Sequence, residues 1–155
     1  MKIAEHGSKQ DFSKLVGTLN TLLASYLVFY QKLRVYHWNL VDKHFFTFHQ
    51  VFENMYQDAQ EKIDTLAERI RYLDSETVCG LGNALDASFV KDASEIPDLE
   101  TMISNLIADL DILAEHERAI FEEASTYHDH GTEDLLGGFL RDIEKQVWML
   151  KSSKQ

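Results

Sequence analysis

Two stretches in the first half of the chain decide the fold: FSKLVGTLNTLLASYLVFYQKL at residues 12–33 and FTFHQVFENMYQDAQEKIDTLAERIRYL at residues 46–73. In both stretches the apolar residues recur at intervals of three and four, which places them on one face of an α-helix. Neither stretch contains a proline, which would interrupt a helix. We predict one helix over about residues 11–38 and a second over about residues 46–73.

The second half of the chain carries the same pattern, with helices predicted over about residues 98–126 and 133–151. Pro97 lies near the start of the first of these, and Thr132 is predicted to cap the second. Residues 75–96 mix glycine and polar residues with a short apolar group, which predicts a long crossover with one short helix. No stretch alternates with period two. The class is therefore all-α, and two hairpins joined by one crossover form a ferritin-like four-helix bundle.

The length and composition predict a single domain over residues 1–155, with residues 1–10 as a flexible N-terminal tail. The first residues contain no apolar run of signal-peptide length, and the longest uncharged stretch is amphipathic, so no membrane span is expected. Cys79 is the single cysteine and cannot form a disulfide within the chain, which fits a reducing compartment. Together these features predict a soluble, cytoplasmic protein.

The formal net charge is −11, from 15 Lys and Arg against 26 Asp and Glu. Most of these charges are expected to solvate the outer faces of helices. Their average effect is to repel phosphate and to attract cations. Cations are therefore the expected partners.

Four side chains of the second predicted helix form a narrow ridge beside its apolar face: His49, Glu53, Asp64 and Glu68. Imidazole and carboxylate are ligands that suit iron, manganese and zinc. His49 and Asp64 are 15 residues apart, which is about 22 Å along a helix. One subunit therefore cannot close a metal site with both ends of the ridge. A twofold axis that packs this helix antiparallel on its copy would bring the two ends together.

His37, near the end of the first predicted helix, is expected close to His49 across a short turn. Each candidate also has a plain structural interpretation, because His37 alone fits a core histidine and the carboxylates alone fit surface charges. The chain contains no Glu-x-x-His, the motif that holds a di-iron centre inside a ferritin-like bundle. The bundle interior is therefore a poor candidate, and the site is expected at an interface between subunits. His128, Asp129 and His130 fit an ordinary turn between helices.

Several segments resemble the Dps mini-ferritins, and together they cover nearly the whole chain. The most specific combination is a His-Trp pair, a second histidine twelve residues after the first, and an Asp-x-x-x-Glu-Arg sequence. The matching segments are YHWN at 36–39, HFFTFH at 44–49, IDTLAER at 63–69, TEDLL at 132–136 and EKQVWML at 144–150.

The resemblance implies a hollow shell of twelve subunits, with ferroxidase centres for up to two irons at its twofold interfaces. The ligand positions of the family fall on His37, His49 and Glu53 of one subunit and on Asp64 and Glu68 of the partner subunit. Three further positions match: Trp38 beside the centre, and Asp129 and Asp134 at the threefold pores through which iron would enter.

The resemblance also implies an oxidoreductase that oxidises iron(II), preferentially with hydrogen peroxide, stores iron(III) as mineral and protects against oxidative stress. Members that bind DNA often use mobile tails rich in Lys and Arg. The termini here carry few basic residues and the chain is acidic, so DNA binding is not expected. Two alternatives stay open: a nucleoid DNA-binding protein with incidental ferroxidation, and a structural helical bundle without metal chemistry.

Overall fold

The computed structural model describes residues 10–154, and this part of the chain contains five α-helices and no strand. They are α1 (Ser13–Asn39), α2 (Phe45–Tyr72), α3 (Leu81–Ala87), α4 (Leu99–Thr126) and α5 (His130–Ser152). Helices α1 and α2 pack as one hairpin, α4 and α5 pack as another, and α3 lies in the crossover against α1. The predicted all-α, ferritin-like bundle with a short crossover helix is confirmed. Residues 1–9 of the predicted tail lie outside the described residues.

Helix α1 forms the centre of the core, because it contacts α2, α3 and α4. Its buried side chains keep the three-and-four spacing and are almost completely shielded from solvent: Leu15, Leu19, Leu22, Tyr26 and Leu33. Each leucine buried in this way contributes about 1.5–3 kcal/mol to folding. None of the helices within residues 10–154 is both long enough and apolar enough to cross a membrane.

Two polar residues of α1 hold the long crossover in place. The Asn20 side chain accepts a hydrogen bond from the backbone N–H of Val78 at 2.7 Å and donates one to the carbonyl of Glu76 at 3.1 Å. The Ser25 hydroxyl accepts from the backbone N–H of Phe89 at 2.9 Å. These bonds satisfy backbone groups that have no helical partner, so polar residues within an apolar stretch anchor the connection between the hairpins.

The start of α5 corrects one prediction, because Asp129 and not Thr132 caps this helix. The Asp129 carboxylate accepts from the backbone N–H of Thr132 at 3.2 Å and also from its hydroxyl. The helix therefore begins at His130, earlier than the predicted residue 133. The Arg69 guanidinium of α2 pairs with the same carboxylate and donates to the Thr132 hydroxyl at 3.0 Å. A cap shared with a neighbouring helix depends on tertiary contacts, which local sequence does not show.

Charged side chains lie inside the bundle as well as on its surface. Lys32 of α1 is 5% exposed and pairs with Asp109 of α4 at 2.8 Å. Lys62 of α2 is 4% exposed and lies between Asp58 at 2.6 Å and Asp142 at 3.0 Å. Both ammonium groups are shielded from water and matched by carboxylates, as buried charges must be. Two of these ion pairs join different helices, α1 to α4 and α2 to α5, and the third lies within α2. The buried lysines are exceptions to the expectation of solvated charges.

Glu117 of α4 is fully buried and lies against Tyr26 of α1, whose hydroxyl donates to one carboxylate oxygen. The other oxygen has no hydrogen-bond partner among the described residues. Burial raises the pKa of Glu117 to about 8, although the hydrogen bond from Tyr26 opposes this rise. The carboxyl is therefore protonated in the folded protein at neutral pH and ionised in the unfolded chain.

This difference predicts that the protein becomes less stable as the pH rises from about 4.5 towards about 8. Over that window the folded state holds a proton that the unfolded state has released, so the free energy of unfolding falls by up to about 1.4 kcal/mol per pH unit. Glutamine is isosteric with the protonated acid, so Glu117→Gln is expected to flatten this dependence. Urea unfolding followed by circular dichroism at about pH 5.5 and about pH 7.5 measures the difference.

The matched control is Glu115→Gln, an exposed position on the same helix, which is expected to keep the wild-type dependence. An equal loss of stability with pH in wild type and Glu117→Gln would contradict the assignment of the proton to Glu117.

Candidate metal centre

The end of α1 and the start of α2 place the two candidate histidines face to face. The ring centroids of His37 and His49 are 3.7 Å apart and the ring planes differ by 15°. The Nδ1 atom of His37 lies 2.7 Å from the backbone oxygen of His49, and Nδ1 of His49 lies 2.8 Å from the backbone oxygen of His37. The short connection between the helices thus brings together two residues that are twelve positions apart.

These two hydrogen bonds determine which nitrogen of each ring carries the proton. A carbonyl oxygen can only accept, so each Nδ1 must be the donor. In the neutral imidazole the other nitrogen, Nε2, then has a free lone pair. His37 is 7% exposed and His49 is half-buried. Both rings are therefore held in the tautomer and orientation that metal-binding histidines adopt when a carbonyl fixes their second nitrogen.

Glu53 lies one helical turn after His49 and is half-buried. Tyr56, which sequence reasoning missed, packs its ring edge-on against His37, with 5.2 Å between the ring centroids. Burial and the nearby Glu53 carboxylate raise the pKa of the Tyr56 phenol. Glu53 is four residues after His49, so its carboxylate lies on the same side of α2 as the His49 ring. The spacing could have identified Tyr56 from the sequence, because a residue seven positions after His49 lies on the same face of a helix.

Trp38, predicted beside the centre, is 54% exposed and points away from the core. The guanidinium carbon of Arg34 lies 4.8 Å from the centre of its ring. Its neighbour His37 points inwards, because adjacent helical residues are separated by about 100° around the axis. Trp38 is thus available to contact another subunit.

Asp64 and Glu68 lie on the exposed surface of α2, towards its other end. Helix α2 is continuous from Phe45 to Tyr72, so the distance of about 22 Å from His49 to Asp64 along the helix applies. Within residues 10–154 of one subunit, no three His, Cys, Asp or Glu side chains are close enough together to hold a metal ion. Each subunit therefore carries the two imidazoles and the two carboxylates at separate places.

The two aspartates predicted at a pore differ in their surroundings. Asp134 is exposed on the first turns of α5. Asp129 is 9% exposed and both of its oxygens accept hydrogen bonds within the subunit, from Thr132 and from Arg69. A Cβ atom at Gly131 would approach the Arg69 guanidinium to 2.6 Å, so a larger residue there would displace this side chain from its place beside Asp129. Arg69 thereby fixes the start of α5 beside the carboxylate end of α2.

Imidazole nitrogens with free lone pairs and carboxylates form a donor set that fits iron(II). The structure of one subunit supplies two imidazoles at one place, with the Glu53 carboxylate one turn further along α2, and leaves coordination positions for further ligands. An open arrangement of this kind is what a metal needs if it is to react and not only to be held.

The comparisons with known proteins agree with this architecture. A ferritin-like domain model matches residues 16–153. The chain is 38% identical to the DNA protection during starvation protein of Porphyromonas gingivalis, over 93% of this chain and 91% of that protein. It is 33% identical to general stress protein 20U of Bacillus subtilis, over 90% of this chain and 96% of that protein.

Among solved structures, the Dps protein of Vibrio cholerae O1 superimposes with a TM-score of 0.89 at 37% identity, covering 98% of each chain. The Dps protein of Bacillus brevis also superimposes with a TM-score of 0.89, at 32% identity. A matching domain model and relatives of this similarity over nearly the full length confirm the resemblance found in the sequence. The chain belongs to the Dps family of the ferritin-like superfamily.

Proposed function

We propose that this protein is a cytoplasmic ferroxidase and iron-storage protein that works as a homo-oligomeric shell of twelve subunits. It oxidises iron(II) at centres shared by two subunits and keeps iron(III) as a mineral inside the shell. The reciprocal hydrogen bonds between His37 and His49 support this function most directly. They prepare two imidazole nitrogens for a metal and leave the ligand set incomplete within one subunit.

In the proposed centre His37 and His49 bind iron through Nε2, and Glu53 binds it directly or through a water molecule. Asp64 and Glu68 of the adjoining subunit complete the set, because their exposed face is free to meet a copy of the chain. A twofold axis creates two such centres per interface. A ligand set with several carboxylates binds iron(III), the harder ion, more strongly than iron(II), and therefore favours oxidation.

Each centre is proposed to hold two irons, since reduction of one hydrogen peroxide to water requires two electrons and each iron(II) supplies one. Paired oxidation consumes peroxide without releasing hydroxyl radical. Peroxide is the preferred oxidant in this proposal and oxygen is slower. The same reaction would therefore store iron and detoxify peroxide.

The charge of the molecule supports iron uptake. A net charge of −11 per subunit raises the local concentration of cations around the shell. Asp134 is exposed and able to guide iron(II) through a pore. Asp129 would contribute there mainly by fixing the start of α5, because its oxygens are already engaged and Arg69 neutralises its charge.

The names of the similar proteins support both iron chemistry and a rival function. The Vibrio cholerae structure is described as a member of the ferritin-like diiron-carboxylate proteins, and the Porphyromonas gingivalis relative is named for DNA protection. DNA protection through binding requires contact with phosphate, which the negative charge of this chain opposes. Protection through removal of iron and peroxide requires no such contact, and we favour it.

The first test replaces both imidazoles. The double variant His37→Ala and His49→Ala is expected to lower the rate of peroxide-driven iron(II) oxidation by at least about tenfold, because it removes two ligands from each centre. Stopped-flow absorbance of iron(III) formation measures the rate. His44→Ala is the matched control, since His44 is exposed and its side chain makes no capping hydrogen bond at α2. Equal rates in wild type and double variant would remove this site assignment.

The second test asks whether two subunits share each centre. Asp64→Asn with Glu68→Gln removes the acidic half, and His37→Ala with His49→Ala removes the other half. Each variant alone is expected to be inactive. Co-assembly in equal amounts is expected to restore about a quarter of the wild-type rate, because about half of the interfaces are mixed and each mixed interface has one intact centre of two. No recovery in verified mixed shells would contradict a shared centre.

The third test concerns the rival function. We expect no retardation of linear DNA by the assembled protein in a gel-shift assay at physiological salt, because twelve acidic subunits repel the phosphate backbone. A variant in which the exposed carboxylates Glu122 and Glu144 are changed to lysine serves as a charge-shifted comparison. A clear salt-sensitive shift with wild-type protein would favour the nucleoid-protein alternative.

A further inference from the structure

Two exposed histidines flank the buried Asp129 at the turn between α4 and α5. The Asp129 carboxylate is directed into the subunit, where it pairs with Arg69 and accepts from Thr132. His128 and His130 are both exposed, and the centres of their rings are 6.5 Å apart. The turn therefore holds two imidazoles close together on the outside of the subunit.

A carboxylate fixes the proton of the second histidine. Nδ1 of His130 lies 2.7 Å from Oε2 of Glu133, one turn later on α5. A carboxylate can only accept, so Nδ1 carries the ring proton and Nε2 of the neutral ring keeps a free lone pair. Metal-binding histidines commonly donate to a carboxylate in this way through the nitrogen that does not bind. The His130 side chain is 83% exposed, so its ring is accessible to an ion from solution.

The backbone at His128 is left-handed, with a φ of 56°. Here α4 ends in a Schellman motif, in which the N–H of His128 donates to the carbonyl of Ser125 at 3.0 Å and the N–H of Asp129 donates to that of Ala124 at 3.1 Å. Glycine is the most frequent residue at this position, because it has no Cβ to strain the left-handed conformation. Glycine would serve the turn at least as well, so the turn does not account for an imidazole there.

The separation of the two rings suits one shared ion. A metal–nitrogen bond is about 2.0–2.1 Å long, so two imidazoles on the same ion have ring centres about 5–6 Å apart. A small rotation of either exposed side chain closes the remaining distance. In the part of the subunit that the structure describes, no third His, Cys, Asp or Glu completes the cluster. Water would therefore fill the other coordination positions.

We propose that His128 and His130 bind one divalent ion that prefers nitrogen ligands, Cu²⁺ or Zn²⁺, at the surface of each subunit. Imidazole suits both ions, and the general order of affinity places Cu²⁺ above Zn²⁺ and above iron(II). The positive end of the α5 dipole opposes a cation near this turn, and the Glu133 carboxylate in the first turn of α5 offsets that effect.

This site shares no ligand with the proposed ferroxidase centre, and its binding does not depend on iron oxidation. The proposed centre combines imidazoles with carboxylates, whereas the ligands here are imidazoles and water. The two ligand sets therefore select different ions. A bound ion would also join the end of α4 to the start of α5 and so stabilise the folded protein.

The test starts from an assembled parent protein that carries His37→Ala and His49→Ala, so that the proposed ferroxidase centre supplies no imidazole. The test variant adds His128→Gly and His130→Ala, because glycine keeps the left-handed turn. His44→Ala in the same parent is the matched control, since His44 is exposed just before α2. Equilibrium dialysis against CuSO₄, and separately against ZnCl₂, counts the ions bound per subunit.

We expect the parent and the control to bind one ion per subunit more than the test variant. Electron paramagnetic resonance of the Cu²⁺-loaded parent is expected to show coupling to two imidazole nitrogens, and the test variant is expected to lose this signal. His130→Ala alone is expected to weaken Cu²⁺ binding at least about tenfold. Glu133→Ala is expected to weaken it by about tenfold, because the ring loses the acceptor that orients it. Equal numbers of bound ions in parent and test variant would overturn the inference.

A second measurement does not rely on counting ions. Excess ZnCl₂ is expected to raise the Tm of the parent by a few degrees more than that of His130→Ala, which leaves the backbone of the turn unchanged. The same shift in both proteins would count against the site, even if the glycine variant failed to assemble.

Iron(II) without oxygen tests the choice of ion. We expect it to bind the parent at least about tenfold more weakly than Cu²⁺ does. Tighter binding of iron(II) than of Cu²⁺ at these two histidines would contradict the assignment to ions that prefer nitrogen.

Discussion

The hydrogen bonds that His37 and His49 exchange join α1 and α2 where the chain reverses direction. The last carbonyl groups of a helix have no partner within it, and the His49 ring satisfies one of them at the end of α1. Because each Nδ1 donates one of these bonds, it carries the ring proton, and Nε2 of the neutral ring keeps a free lone pair. A contact that closes the hairpin therefore also fixes the tautomer of both imidazoles, and neither effect can be altered without the other.

The rigidity of α2 has an equally direct consequence. A continuous helix from Phe45 to Tyr72 cannot bend its carboxylate end back to its imidazole end. A subunit thus carries the His37–His49 pair and the Asp64 and Glu68 carboxylates at two places that it is unable to bring together. Under the proposed function, iron chemistry would begin only when subunits assemble, so the reactive metal would be confined to a shell that can contain its product.

The interior of the bundle is occupied in a different way. Lys62 lies among carboxylates of α2 and α5, and Lys32 pairs with Asp109 across α1 and α4. Carboxylates compensate the buried Lys32 and Lys62 ammonium groups there, while Glu117 avoids the need for a cation because it is protonated at neutral pH. This arrangement agrees with the absence of a Glu-x-x-His motif in the sequence.

Sequence alone determined the helices and their order, because the three-and-four spacing and the rise of a helix are local properties. It placed the long helices within a few residues of their observed bounds and separated His49 from Asp64 correctly. Tertiary structure decided the stacking and tautomer of the histidines, the Asp129 cap shared with Arg69, and the burial of Glu117 against Tyr26. Each of these features joins residues that are distant in the chain. The energy of a hydrogen bond or of a buried charge depends on the groups that surround it in space, and the order of residues in the sequence does not show these groups.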